Sequence, residues 1–206
     1  MQRWQLGLIK TGIWIACLLP FAILALRTFE IVGNLGGDPV TEVLHTLGKT
    51  GLNILFVTLA VTPARQLTGL NWLVRLRRLL GLFTFFYIAL HFMTFAWLDL
   101  QFAWGSILEE IALRPYLTLG MAALVAMIPL AITSTRGWQR RLGRKWTTLH
   151  RLIYPIAILG VWHFWWQIRG ETGEANVYIV LLAALLGYRL WHYWQRRRRR
   201  IAASAA

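Results

Sequence analysis

One cysteine and eight acidic residues in 206 positions set the first limits on this chain. Cys17 by itself excludes an intrachain disulfide, a thiolate–metal cluster and a cysteine redox pair. Charged residues make up 15% of the sequence and apolar ones 57%, a balance too greasy for an ordinary soluble domain. No GxGxxG, no P-loop and no long alternating strand pattern is present, so the chain carries no Rossmann-type nucleotide-binding domain and electrons for any redox chemistry must come from outside. No linker or low-complexity segment divides it, which predicts a single domain spanning 1–206. The sequence shows no convincing internal repeat of the sort common in transporters.

What is present is a series of apolar runs, each near the ~20 residues that cross a ~30 Å hydrocarbon core as a helix. They predict an all-α integral membrane protein, a six-helix bundle with spans at about 9–30, 43–62, 79–98, 113–133, 148–168 and 174–195. The net charge of +14 invites a nucleic-acid reading, but its placement excludes one. Basic residues precede span one (Arg3, Lys10), join spans two and three (Arg65, Arg75, Arg77, Arg78) and four and five (Arg136, Arg140, Arg141, Arg144, Lys145), and follow span six (Arg196 to Arg200). The acids Glu30, Asp38, Glu42, Asp99, Glu109, Glu110, Glu171 and Glu174 fall in the other connections. This alternation predicts both termini on the cytoplasmic side. The terminal arginine run reads as a topology signal that meets lipid headgroups.

The first apolar stretch, Thr11 to Leu26, exceeds a signal-peptide core and is followed by Arg27 with no small-residue cleavage site, so it reads as a retained helix. Gly33 to Pro39 should turn the chain outside the membrane, and Thr62-Pro63 should end the second helix. Arg114-Pro115 suits the start of the fourth, while Pro129 and Pro155 fall where they would kink later spans. Twelve tryptophans are numerous for this length, and most sit near span ends as an aromatic belt.

Five histidines remain. His91 and His163 each lie 13 to 15 residues from the cytoplasmic end of their spans, about 20 Å deep at ~1.5 Å per residue. Two imidazoles at one depth on different helices can hold one metal from opposite sides, and an iron porphyrin meets that need. Zinc fits less well, because it takes three or four ligands. The plainer alternative is a transporter or channel in which both histidines serve as a proton or metal relay.

His150 lies 13 residues before His163, about 20 Å away along a helix. Span three offers Arg77 and Arg78 at the matching inner depth rather than a second histidine. An inner site therefore takes either a second haem, with His150 and an unusual partner such as His192, or a quinone or flavin beside Arg77, Arg78 and Trp146. His45 and His192 otherwise read as interfacial.

The run Trp146-Thr147-Thr148-Leu149-His150-Arg151-Leu152-Ile153-Tyr154, then His163-Phe164, resembles the fifth helix of the ferric reductase-like transmembrane domain family. Arg77 to Leu82, followed by Tyr87 and His91, resembles its third. Arg114-Pro115-Tyr116 with Gly120, and Pro129 to Ser134 leading into Trp138, Leu142-Gly143 and Trp146, are similar to the branch of haem-binding subunits that serve bacterial periplasmic methionine-sulfoxide reductases.

The resemblance implies a b-type haem electron carrier of the bacterial inner membrane, an electron-transfer subunit within an oxidoreductase system. It implies a periplasmic molybdopterin reductase of the MsrP type as acceptor, and as donor the quinone pool or FMN from a cytosolic flavin reductase. His91, His150 and His163 match the family's haem-associated positions, with Arg77, Arg78, Arg151 and Trp146 around the inner site. The chain departs from two-haem ferric reductases in lacking the second histidine of span three and any fused flavin-nucleotide domain.

Overall fold

The computed structural model describes residues 2–168 and 172–205. Glu171, one of the acids in the charge pattern, lies outside the described residues, as do the side chains of Arg3 and Arg200. Most of the described residues are helical, with no strand among them.

Nine α-helices follow in order: α1 (Arg3–Thr28), α2 (Pro39–Thr68), α3 (Arg77–Thr94), α4 (Trp104–Leu113), α5 (Pro115–Ile132), α6 (Arg136–Leu142), α7 (Arg144–Leu149), α8 (Ile153–Gln167) and α9 (Thr172–Ala205). Short 3-10 turns at Asn71–Leu76 and His150–Leu152 lead into α3 and α8, and a π turn at Phe95–Asp99 ends α3. Five segments are long and apolar enough to cross a membrane: Trp4–Thr28, Pro39–Thr68, Asn71–Asp99, Pro115–Ile132 and Gly173–Ala203. The chain is a multi-pass membrane protein. The predicted fifth span is shorter than expected, because α8 has 15 residues and reaches about 22 Å at 1.5 Å per residue.

Local chemistry sets the ends. Asp38 caps α2 by accepting a hydrogen bond from the Thr41 N–H at 3.1 Å, which holds its carboxyl below the usual range, and Pro39 fills the first turn. Gly69 closes α2 in the left-handed region at φ 73°, a conformation that side-chain-bearing residues rarely adopt. Pro155 occupies the first turn of α8, where its missing N–H costs little, so it starts that helix and does not kink it.

Thr62-Pro63 does not end the second helix. α2 runs on to Thr68 because the carbonyl that Pro63 leaves without a helical donor, that of Leu59, receives the guanidinium of Arg189 from α9. The same guanidinium donates to the Tyr154 hydroxyl at 2.7 Å and lies over its ring, so one side chain joins α2, α8 and α9.

A second polar tie joins α1 to α3. Tyr87 is fully buried, and its hydroxyl donates to the Cys17 carbonyl at 2.5 Å and accepts from the Phe21 N–H at 3.2 Å. Those two groups are four residues apart in α1, so the hydroxyl bridges one rung of the helix beside Pro20. Buried Thr58 and Thr84 return their hydroxyls to carbonyls on their own helices.

Apolar packing supplies the remainder. One cluster joins α1, α2 and α3 through Leu24, Leu47, Phe83 and Tyr87; another joins α2, α8 and α9 through Leu55, Leu59, Ala157 and Tyr178. A third sets Ala123 and Met127 of α5 against Ile156 of α8. The closest helix pairs are α2 with α3 and α5 with α8.

Arg189→Leu should leave the Leu59 carbonyl and Tyr154 hydroxyl without a partner and destabilise the purified protein by about 1–3 kcal/mol. Denaturant unfolding in detergent checks this, and unchanged stability would show that Arg189 is not what carries α2 through Pro63.

Candidate haem-ligand site

His91 sits 14 residues into the helix that begins at Arg77, and His163 sits 13 residues after His150. The fold turns this similarity of depth into proximity. α3 and α8 bring the two imidazoles to a centroid separation of 6.1 Å with planes at 79°. Both rings are half-buried.

Each ring spends one nitrogen on the backbone of a neighbouring helix. Nδ1 of His91 lies 2.9 Å from the Leu44 carbonyl of α2, and Nδ1 of His163 lies 2.7 Å from the Tyr116 carbonyl of α5. A carbonyl only accepts, so Nδ1 carries the proton in both rings and Nε2 keeps its lone pair. This tautomer, held by a hydrogen bond behind it, leaves Nε2 available to a metal.

Two imidazoles bonded to one ion at about 2 Å each have ring centres roughly 6 Å apart, the separation found here. Among the described residues no group of three or more His, Cys, Asp or Glu side chains is placed to hold a metal. The donor set therefore fits a metal whose other ligands are brought by its own macrocycle, and does not fit zinc.

His150 is separate from this pair. Its ring stacks on Trp146 at 3.9 Å, and its Nδ1 lies 3.1 Å from the Trp146 carbonyl, with the Leu130 carbonyl also in reach. Trp146 is fixed by its indole N–H, which donates to the Thr133 carbonyl at 2.9 Å. Arg77 is near enough to His150 and to Arg189 for its charge to act on both, and Arg77, Arg78 and Arg151 are all exposed. His192 hydrogen-bonds Tyr188 at 3.1 Å and stacks on Trp191, without ring contact to His150, and His45 is exposed.

At the opposite end, three acids of the charge pattern are paired: Glu42 with Arg27 at 3.0 Å, Glu174 with Lys49 at 2.5 Å and Glu110 with Arg114 at 2.5 Å. Sequence reasoning missed the Leu44 and Tyr116 carbonyls and the Arg189–Tyr154 pair. Backbone partners carry no residue signature. The one available signal was that both carbonyls stand 47 residues before their histidine.

The family described as ferric reductase like transmembrane component matches residues 11–161, a stretch that contains His91 and His150 and stops two residues before His163. A protein-methionine-sulfoxide reductase heme-binding subunit MsrQ from Xanthomonas campestris pv. campestris is 48% identical over 193 residues, 92% of this chain and 88% of the relative. Proteins of the same name from Xanthomonas oryzae pv. oryzae and Herminiimonas arsenicoxydans are each 46% identical, over 95% and 94% of this chain and 92% and 89% of their own length. No solved structure matches the chain.

Proposed function

The chain belongs to the ferric reductase like transmembrane component family and, within it, to the MsrQ heme-binding subunits, and from that premise we propose that it carries electrons across the bacterial inner membrane to a periplasmic methionine-sulfoxide reductase. The observation that carries this reading is the facing of His91 and His163, each with Nδ1 on a carbonyl and Nε2 free. A b-type haem held by these two imidazoles supplies reversible one-electron chemistry.

The residues of the chain do the rest. His91 and His163 would hold the haem from helices α3 and α8, so its one-electron chemistry would ask for little movement of the protein. The Nδ1–H bonds to Leu44 and Tyr116 raise ligand basicity and keep the rings from rotating.

The crossing that completes six, fifth in chain order, is α8 extended by the 3-10 turn His150–Leu152, together about 28 Å, near the thickness of the hydrocarbon core. With six crossings the alternation of basic and acidic connections sets both termini in the cytoplasm. The His91–His163 pair then lies toward the periplasmic face, and His150, Trp146, Arg77, Arg78 and Arg151 lie toward the cytoplasmic one. This inner group receives the donor, a quinol or a reduced flavin such as FMN. Its guanidinium groups suit an anionic or quinoid ring system, and the Trp146–His150 stack offers a flat aromatic neighbour. The acceptor is an MsrP-type molybdopterin enzyme docked on the outer connections. Lipid contact falls to the apolar faces of α1, α5 and α9, which expose residues such as Trp14, Val125 and Val180.

The full chain, expressed with haem in supply, should show a b-type α-band on reduction with dithionite. Either His91→Ala or His163→Ala should remove most low-spin absorbance. Retention of a full low-spin spectrum in both variants would disprove the axial pair, and a colourless wild-type protein would sink the cytochrome reading. The near-perpendicular rings should also give the oxidised protein a highly anisotropic low-spin EPR signal.

His150→Ala should slow quinol- or flavin-driven reduction by about tenfold or more while leaving the outer low-spin spectrum in place. An unchanged rate would remove His150 from the donor site.

A further inference from the structure

The two halves of the histidine pair are built alike, although their sequences show no obvious repeat. Three features recur 72 positions on: the accepting carbonyl (44 to 116), a glycine (48 to 120) and the histidine (91 to 163). In both halves the glycine stands one turn after the carbonyl on its helix, and the ring lies against it. A Cβ added at Gly48 would stand 3.0 Å from Nδ1 of His91, and one added at Gly120 would stand 2.9 Å from Nδ1 of His163. Core residues keep the same offset: Leu52 and Leu124, Leu55 and Met127, Thr84 and Ile156 are all buried. Thus α2 with α3, and α5 with α8, form two copies of one ligand-presenting unit.

We propose that Gly48 and Gly120 are positioning residues for the two imidazoles, their missing side chains being what lets each ring reach its carbonyl and hold its angle. The inference rests on the haem reading above and concerns only how this chain sets its ligands. A methyl group at either position collides with the nitrogen that carries the hydrogen-bonded proton. The ring must retreat, the Nδ1–H···O=C bond lengthens, and the imidazole becomes a weaker donor to the metal. Neither glycine lies at positive φ, so close approach and not backbone freedom explains the residue type.

The test compares the purified full-length wild type with Gly48→Ala and Gly120→Ala. The controls are Gly160→Ala, whose added carbon makes an ordinary 3.8 Å contact with Leu52, and Gly81→Ala, whose added carbon meets nothing within 4 Å. EPR of the oxidised protein, the midpoint potential and the rate of haem loss to an apoprotein acceptor are measured. Gly48→Ala and Gly120→Ala should move the low-spin signal, raise the potential and speed haem loss about tenfold or more, with Gly120→Ala the stronger. The two controls should keep the wild-type spectrum and potential.

Glycine variants with wild-type signal, potential and haem retention would overturn the proposal, and so would controls that shift as far as the test variants. If Gly120→Ala does not accumulate, Gly48→Ala decides alone, since its contact asks the ring to move only a few tenths of an ångström. A wild type without haem would overturn the cytochrome reading and this proposal with it. A haem-loaded wild type with unresponsive glycines would overturn this proposal only.

Discussion

In a bilayer there is no water to satisfy a polar group, so an imidazole on a membrane helix must find its partner within the protein. For His91 and His163 that partner is a backbone carbonyl on the next helix, at 2.9 and 2.7 Å. The hydrogen bond does three things at once. It satisfies one nitrogen, selects the tautomer, and leaves the other nitrogen with its lone pair. The pairings of α2 with α3 and of α5 with α8 bring each carbonyl to its histidine, and packing of α3 and α8 across the bundle brings the rings to 6.1 Å.

The same requirement explains how the bundle tolerates its prolines. Pro63 removes a backbone donor from the last two turns of α2, and Arg189 replaces it from another helix. Near Pro20 the Tyr87 hydroxyl both accepts from and donates to the backbone of α1. These side chains repair helices and tie neighbours together in one step, which is an economical use of polarity where apolar contacts are available to lipid and protein alike.

The inner and outer ends differ in a way the 72-residue relation makes plain. At the outer end the equivalent positions are both histidine. At the inner end His150 corresponds to Arg78. A symmetric two-imidazole site is thus available only once, and the inner group combines one stacked imidazole with guanidinium groups.

Much of this was legible from residues in order. Apolar run length made the chain a membrane protein, because crossing a fixed thickness needs a fixed number of residues. Depth counting picked out His91 and His163, because helical rise is constant. Helix ends were less legible: the rule that proline ends a helix failed at Pro63, since the compensating donor lies 126 positions away at Arg189. The repeat was hidden because identity survives only in short fragments such as Thr46-Leu47-Gly48 with Thr118-Leu119-Gly120 and His91-Phe92 with His163-Phe164, and a carbonyl acceptor has no identity to keep. Sequence alone determined that the chain is built of membrane-crossing helices and that His91 and His163 stand at similar positions along two of them. Only the tertiary structure decided which of them meet, because helix pairing, close approach over a glycine and the tautomer of a ring depend on neighbours that are distant in the chain.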